Sequence, residues 1–487
     1  MNSCGACGLL CLFTTLLFGT NGPNNTAADV KALTVRIVTE EDVYRFVPAN
    51  NGAGPLWCRG STCLVRWRDR VWASGLETLA DVKPLNNCRW LLFERTKDGW
   101  TMVADGRQQR TREPCPLVVF ARGQLWLSDN PTLVQDPDVP AGPARPTLYF
   151  WDLQKGTKDA GVVCPQWQGN PPFTEHSYRS FAADGNRGEL IVIQNVAYTH
   201  AEWAFQDDRG QWIAGRLVWP FGAEYHKPQP IRVCYPCVAL KERRVYFFGV
   251  SDIVEPNPAW REFKRKLTGS DWDYDFRRLF FTWSDDITER KFASWQEISS
   301  REKTCGWITP LDLWVSPEHD VHLLWHERAI DERLRPQFFP QEKQSYELNY
   351  GIWRSGRLVT HRCLIRWQEG QTGLVPNFAR FHIVPRAGLI VFCSVTDRGQ
   401  PLNKVLAIGP NGVPGPLVDV QLQEPLRAFF TATPRAGCEE STTLDLLGVG
   451  RSSTTIRYVR IEFDPCYSQP PDHGKQHVLT LPASATK

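Results

Sequence analysis

Most of this chain lacks long apolar runs, blocks of one charge and glycine-rich phosphate loops. Each absence argues against a class of function. Downstream of Phe18 nothing approaches the roughly 20 consecutive apolar residues of a membrane-spanning helix. Net charge is only +3 at pH 7, with a pI near 8.1 and no Lys/Arg block, so the electrostatic footprint of a nucleic-acid partner is missing. No Gly-x-Ser-x-Gly elbow or phosphate-binding glycine loop stands at a usable place. Lysine is scarce, 15 against 41 arginines. Guanidinium groups suit bidentate contact with carboxylate or sulfate, so this bias is compatible with an anionic ligand, and genomic base composition explains it as easily.

What is present begins with one apolar segment, Gly8 to Phe18, followed by Thr26-Ala-Ala28. Residues 1–28 read as a secretory leader, although no Lys or Arg precedes the apolar run. The expectation is a mature chain of 29–487 that is secreted or periplasmic. Fifteen cysteines include three in the leader. The remaining twelve permit disulfides in an exported protein, with Cys58–Cys63 and Cys234–Cys237 the nearest candidates and free buried thiols the alternative.

The stretch from Pro236 to Ser299 supplies a template. Cys237–Leu240 and Val245–Val250 are short runs rich in β-branched and aromatic residues around a polar turn, which predicts a hairpin. A second hairpin follows, from Arg278–Trp283 and Phe292–Ile298. Similar units start near Thr62, Pro116, Ser180, Pro310, Arg380 and Leu426, giving seven in all with variable insertions. That repeat predicts an all-β, seven-bladed β-propeller of four-stranded antiparallel blades. The last unit lacks a clear fourth strand, and the first leaves Leu33–Val38 unassigned. An open sheet edge invites aggregation, so the ring is expected to close with this N-terminal strand in the last blade, His477–Leu481 being the rival.

In such a meander the turns within each hairpin lie at one end, and the loops between hairpins and between blades lie at the other. The long loops, 75–87, 128–146, 251–275 and 326–344, share the second end, where binding and catalysis concentrate. Two approaches to inner strands carry the richest chemistry. Arg110-Thr-Arg-Glu-Pro114 offers Arg112 and Glu113, and Phe173–Arg179 offers Glu175, His176, Tyr178 and Arg179. Arg179 with Arg112 would neutralise a substrate carboxylate while His176 and Tyr178 exchange protons. Asp252, Glu255 and Trp272 on the 251–275 loop, with His326 and Arg328, add further substrate-binding candidates. Glu113, Glu175, Asp252 or Glu255 would furnish the carboxylate pair of a glycoside hydrolase. The competing reading is that these polar groups satisfy one another where the blades meet. His319, His322 and His326 around one hairpin, and the lone Cys234-Tyr-Pro-Cys237, are thin material for a metal site. No cofactor is expected, and a divalent ion stays open.

Trp283-Ser-Asp-Asp-Ile-Thr288 with Trp295, and Asp207-Asp-Arg-Gly-Gln-Trp212, resemble Asp-box turns (BNR repeats) of the sialidase-like propeller superfamily, with Thr288 at the motif's glycine. Phe429–Gly437, Leu444–Gly448 and Thr174–Tyr178 are similar to a group of uncharacterised secreted bacterial propellers. A looser likeness joins the fold to propeller-type polysaccharide lyases, which employ His, Tyr and Arg. The likeness to the lyases implies an anionic, uronate-containing polysaccharide as ligand; with the residues above, the expectation is a monomer that binds such a polysaccharide or glycan and cleaves it by β-elimination or hydrolysis. A non-catalytic scaffold for glycan or protein recognition is the alternative.

Overall fold

The computed structural model describes residues 33–57, 59–385 and 388–464. The expected leader, Cys58, Cys466 and the rival strand His477–Leu481 lie outside these residues. Seven four-stranded antiparallel sheets form the blades of a propeller. Their inner strands are Leu64–Trp67, Leu117–Phe120, Ser180–Asp184, Val233–Lys241, Trp307–Val315, Val375–Val384 and Ala428–Thr431. Each lies against the next, and the Ala428–Thr431 strand meets Leu64–Trp67 to complete the circle.

The apolar runs explain this order. Leu64–Trp67 and Leu117–Phe120 are buried at every position, because an inner strand has a blade on either side; the one charged side chain among them, Arg66, is paired with Asp445 at 2.7 Å. The outer strand Gly99–Asp105 has no fully buried residue. Apolar clusters fill the wedges between blades, and Trp72, Trp151, Trp203 and Trp325 are among their largest fully buried side chains.

The N-terminal strand closes the ring. β1 (Val35–Arg45) pairs antiparallel with Thr455–Phe463, from Val35 opposite Phe463 to Arg45 opposite Thr455. It runs past the expected end at Val38, since Val43 and Tyr44 still pack into the wedge beneath the first blade. The Tyr44 hydroxyl also accepts the Leu76 amide at 3.0 Å.

Two loops differ from the repeat reading. The outer strand of the fourth blade is Gln296–Ser300, displaced from Phe292–Ile298 by a 3-10 turn whose amide at Thr288 is received by Asp286. The long 251–275 loop holds α1 (Pro258–Thr268). Asn257 caps it by accepting the Ala259 and Trp260 amides, Pro258 presets its first turn, and Gly269 stops it at φ 69°.

Cys63, Cys88, Cys115, Cys234, Cys237, Cys305, Cys393 and Cys438 are buried free thiols, and Cys164 and Cys363 are exposed ones. The candidate Cys234–Cys237 bridge is therefore not formed. A β-bulge separates the two cysteines, and Tyr235 within it has φ 50°. This bulge turns Tyr235 toward the long-loop end.

Candidate functional site

The connection from β1 to the first inner strand runs across the end of the central channel. Arg435 Nη1 donates to the Gly60 carbonyl at 2.8 Å, Arg380 donates to the Arg59 carbonyl, and Ser61 Oγ accepts the Phe181 amide at 3.1 Å. Gly60 is needed there, because a Cβ would come within 1.8 Å of the Pro236 carbonyl oxygen. The crossing carries Trp57 and Arg59 onto the long-loop face.

Trp57 stacks on Tyr178 with centroids 4.7 Å apart, and meets Tyr235 edge-on at 5.5 Å. Tyr178 is only 5% exposed and meets the His176 ring edge-on at 4.5 Å. Tyr178 has φ 43°. This left-handed turn sets its ring among the loops while the next residue drops beneath them. Arg179 is consequently 1% exposed and donates to the Pro114 carbonyl at 2.6 Å and toward Ser177 Oγ at 3.4 Å. It braces the floor of the site.

His176 Nδ1 lies 2.7 Å from Arg112 Nη1. A guanidinium can only donate, so Nδ1 accepts and the imidazole proton sits on Nε2. Burial, then the positive charges of Arg112 and Arg232, push the His176 pKa down to about 3, so the ring is neutral at pH 7. Arg112 is held by its Nε bond to the Asn51 carbonyl at 3.0 Å. Glu113 is fully buried; it receives the Ser177 amide at 2.8 Å and the Ser177 hydroxyl at 2.5 Å. Its Oε1 is 3.6 Å from His176 Nδ1, a support behind the ring. Glu175 is nearly buried and accepts the Gly142 amide at 3.2 Å, tying the 128–146 loop down.

Arg232 also belongs here. Its guanidinium lies 3.9 Å from the Tyr198 ring centroid and 5.2 Å from that of Tyr178, and bonds the buried Asp252 carboxylate at 2.8 Å. Burial keeps the Tyr178 phenol protonated far above its ordinary range, with Arg232 opposing. Asp252 thus fixes a cation, and Arg232 fixes the aromatic wall. Sequence reasoning passed over Trp57, Arg59, Arg232, Tyr198 and Tyr235. Arg232 had one readable signal: it stands immediately before an inner strand, as Arg179 does.

Glu255 is placed differently. Arg277 grips it with two bonds, 2.8 and 2.9 Å, and Lys264 of α1 adds a third at 2.9 Å. Burial raises its pKa, but these cations outweigh burial and hold it below the ordinary carboxylate range. Trp272 stands 71% exposed beyond this network. His326 and Arg328 lie on the other side of the face. Burial chiefly, with Arg328 and Arg59 contributing, lowers the His326 pKa to about 4. Arg328 reaches over Trp307, 5.8 Å from the ring centroid. His319 faces Glu242 and His322 bonds Tyr350, so the three histidines are not gathered together. Among the described residues no group of three metal-ligating side chains occurs, and no helix is long and apolar enough to cross a membrane.

No family model matches the chain, and no curated protein matches it. Among solved structures the chain is similar to a polysaccharide lyase of family PL25, an ulvan lyase bound to -[GlcA(1-4)Rha3S]-. Identity is 7%, covering 87% of this chain and 95% of that one, with a TM-score of 0.53. A second PL25 ulvan lyase structure gives 7% identity, the same coverages and a TM-score of 0.52. A protein of unknown function from Dyadobacter fermentans DSM 18053 is 10% identical, with 88% and 99% of the two chains covered and a TM-score of 0.42. At such identities the first two likenesses show a shared propeller fold.

Proposed function

We propose that this propeller binds a uronate-containing polysaccharide on its long-loop face and cleaves it by β-elimination. The observation that carries this reading is the grouping of a neutral His176, a protonated Tyr178 and Arg112, a cation with no carboxylate partner among the described residues. The likeness to a lyase whose bound ligand contains glucuronate adds a carbohydrate-active precedent for the fold.

In this reading the uronate carboxylate draws Arg112 away from His176. Its charge is then neutralised and C5 of the sugar becomes more acidic. Nδ1, released, takes the C5 proton. The electron pair forms the C4–C5 double bond, the C4–O4 bond breaks, and the Tyr178 hydroxyl protonates the departing oxygen. Imidazolium and phenolate then exchange their proton through solvent. Arg179 and Glu113 act as positioning residues. Hydrolysis fits less well, because Glu113, Asp252 and Glu255 are each buried and bonded.

One observation favours a binding scaffold instead: Trp57 covers the Tyr178 ring, which leaves that residue 5% exposed. The test incubates the chain with uronate, sulfated and neutral polysaccharides, reading unsaturated-uronate absorbance and new reducing ends together. Both signals are expected to rise on a uronate polymer. His176→Gln should lower turnover by about 10²–10⁴ while binding survives. Reducing ends without absorbance would indicate hydrolysis, and binding without either signal would leave the scaffold.

A further inference from the structure

A row of aromatic rings leads away from His176 across the face. Tyr178 meets Tyr235 at 5.2 Å, Tyr235 meets Phe276 at 5.8 Å, and Phe276 meets Trp307 at 4.5 Å. The rings come from the third, fourth and fifth blades, and Tyr235 and Phe276 are half-buried while Trp307 is 36% exposed. At the far end Arg328 lies opposite Trp307 on the neighbouring strand and over its ring. Arg59, from the channel crossing, completes this end: part of its surface reaches solvent, yet the protein around its guanidinium lowers its pKa, and its charge acts on both Tyr235 and His326.

The chemistry here is unbalanced. Neither Arg59 nor Arg328 forms an ion pair with a carboxylate among the described residues, and Arg328 Nε is a buried donor without a partner. The adjacent Glu327 is committed elsewhere, to Arg301, Ser299 and Trp325. His326, by contrast, is kept neutral at pH 7 and has the Pro376 backbone as a hydrogen-bond partner. An unpaired buried donor is costly unless a ligand satisfies it. Aromatic faces accept sugar rings, and a guanidinium fork accepts carboxylate or sulfate oxygens.

We infer that Trp307, Arg328 and Arg59 form a second, remote subsite that holds an anionic substituent, a sulfate ester or carboxylate, of a sugar several units from the one at His176. The inference rests on the reading that this face binds an anionic polymer. It makes the protein a reader of charge spacing along that polymer, so short oligosaccharides that fill only the His176 end gain nothing from Arg328.

The test measures binding by calorimetry of the full chain to a glucuronate–rhamnose 3-sulfate polymer, to its desulfated form, and to the shortest uronate-containing oligosaccharide from it. Arg328→Ala is expected to weaken polymer binding about tenfold and leave the short oligosaccharide unaffected; Trp307→Ala should behave alike. Arg328→Lys, which keeps charge but loses the fork, should fall between, and it carries the test if the alanine variant does not fold. A tenfold effect confined to the sulfated polymer assigns the substituent as sulfate, and an effect persisting after desulfation assigns it as carboxylate. If wild type binds polymer and the Arg328 variants match it, this inference fails while the reading of the His176 site stands. If wild type binds none of the three, both fall.

Discussion

Two arginine-rich clusters share the long-loop face and have opposite balances of charge. Around Arg277 every cation has a carboxylate: Glu255 takes two bonds from Arg277 and one from Lys264, while Asp273 and Asp331 flank Lys264. Lys264 and Arg277 are 2% and 1% exposed. Along the row that runs from His176 to Trp307, Arg112 bonds a carbonyl and an imidazole, and Arg59 and Arg328, at the far end, find no carboxylate among the described residues. The first cluster is closed and pins α1 to the rim. The second is left with positive charge that carboxylates of the protein do not balance, which in the proposed function is the place for a ligand's anions. Cations on one face therefore do different work, according to where the acids were placed.

Breaking the closed cluster should have the largest effect. Arg277→Ala leaves Glu255 and Asp275 buried with fewer partners, so denaturant unfolding should show a loss of about 3–5 kcal/mol. A loss below 1 kcal/mol would mean the network is more hydrated than its burial indicates. In the open cluster, Arg112→Ala should cost little stability. It should weaken binding of a uronate polymer about tenfold, in line with roughly 1.5 kcal/mol for a hydrogen bond to a charged group. It should also raise the His176 pKa from about 3, read by NMR titration of the ring protons, though burial keeps it below the ordinary value of about 6.5. The sign for stability follows. With a depressed folded pKa, the unfolded chain binds the proton more tightly, so the His176 contribution is complete above about pH 6.5 and is lost as pH falls toward 3. Removing Arg112 should make that acid-side loss shallower.

The architecture was legible because each blade repeats the same apolar hairpins; the observed inner strands begin within five residues of the expected starts. The closing strand was legible from a missing fourth strand at one end and a spare one at the other. α1 was not, although Asn257-Pro258 and Gly269 bracket it and Trp260, Phe263 and Leu267 recur at helical spacing, because the aromatics and carboxylates of this stretch were read as a ligand-binding loop. In the candidate site, proximity in sequence put Arg112, His176 and Tyr178 forward, and two neighbouring strand approaches bring their side chains together. It could not separate Arg179 from them, since the direction of that side chain depends on the left-handed backbone of Tyr178. Nor could it find Trp57 and Arg232, which arrive from other blades. Glu255 read as a free acid because its partners Arg277 and Lys264 lie 22 and 9 residues away across a loop and a helix.

The central claim, that unpaired cations on this face exist for an anionic polymer, is tested most directly by titrating the wild-type chain with a uronate polymer and with its carboxyl-reduced counterpart at increasing salt. The account predicts that affinity falls as salt rises and drops about tenfold or more when the carboxylates are reduced to alcohols. Equal affinity for both polymers, or binding that salt leaves unchanged, would contradict it.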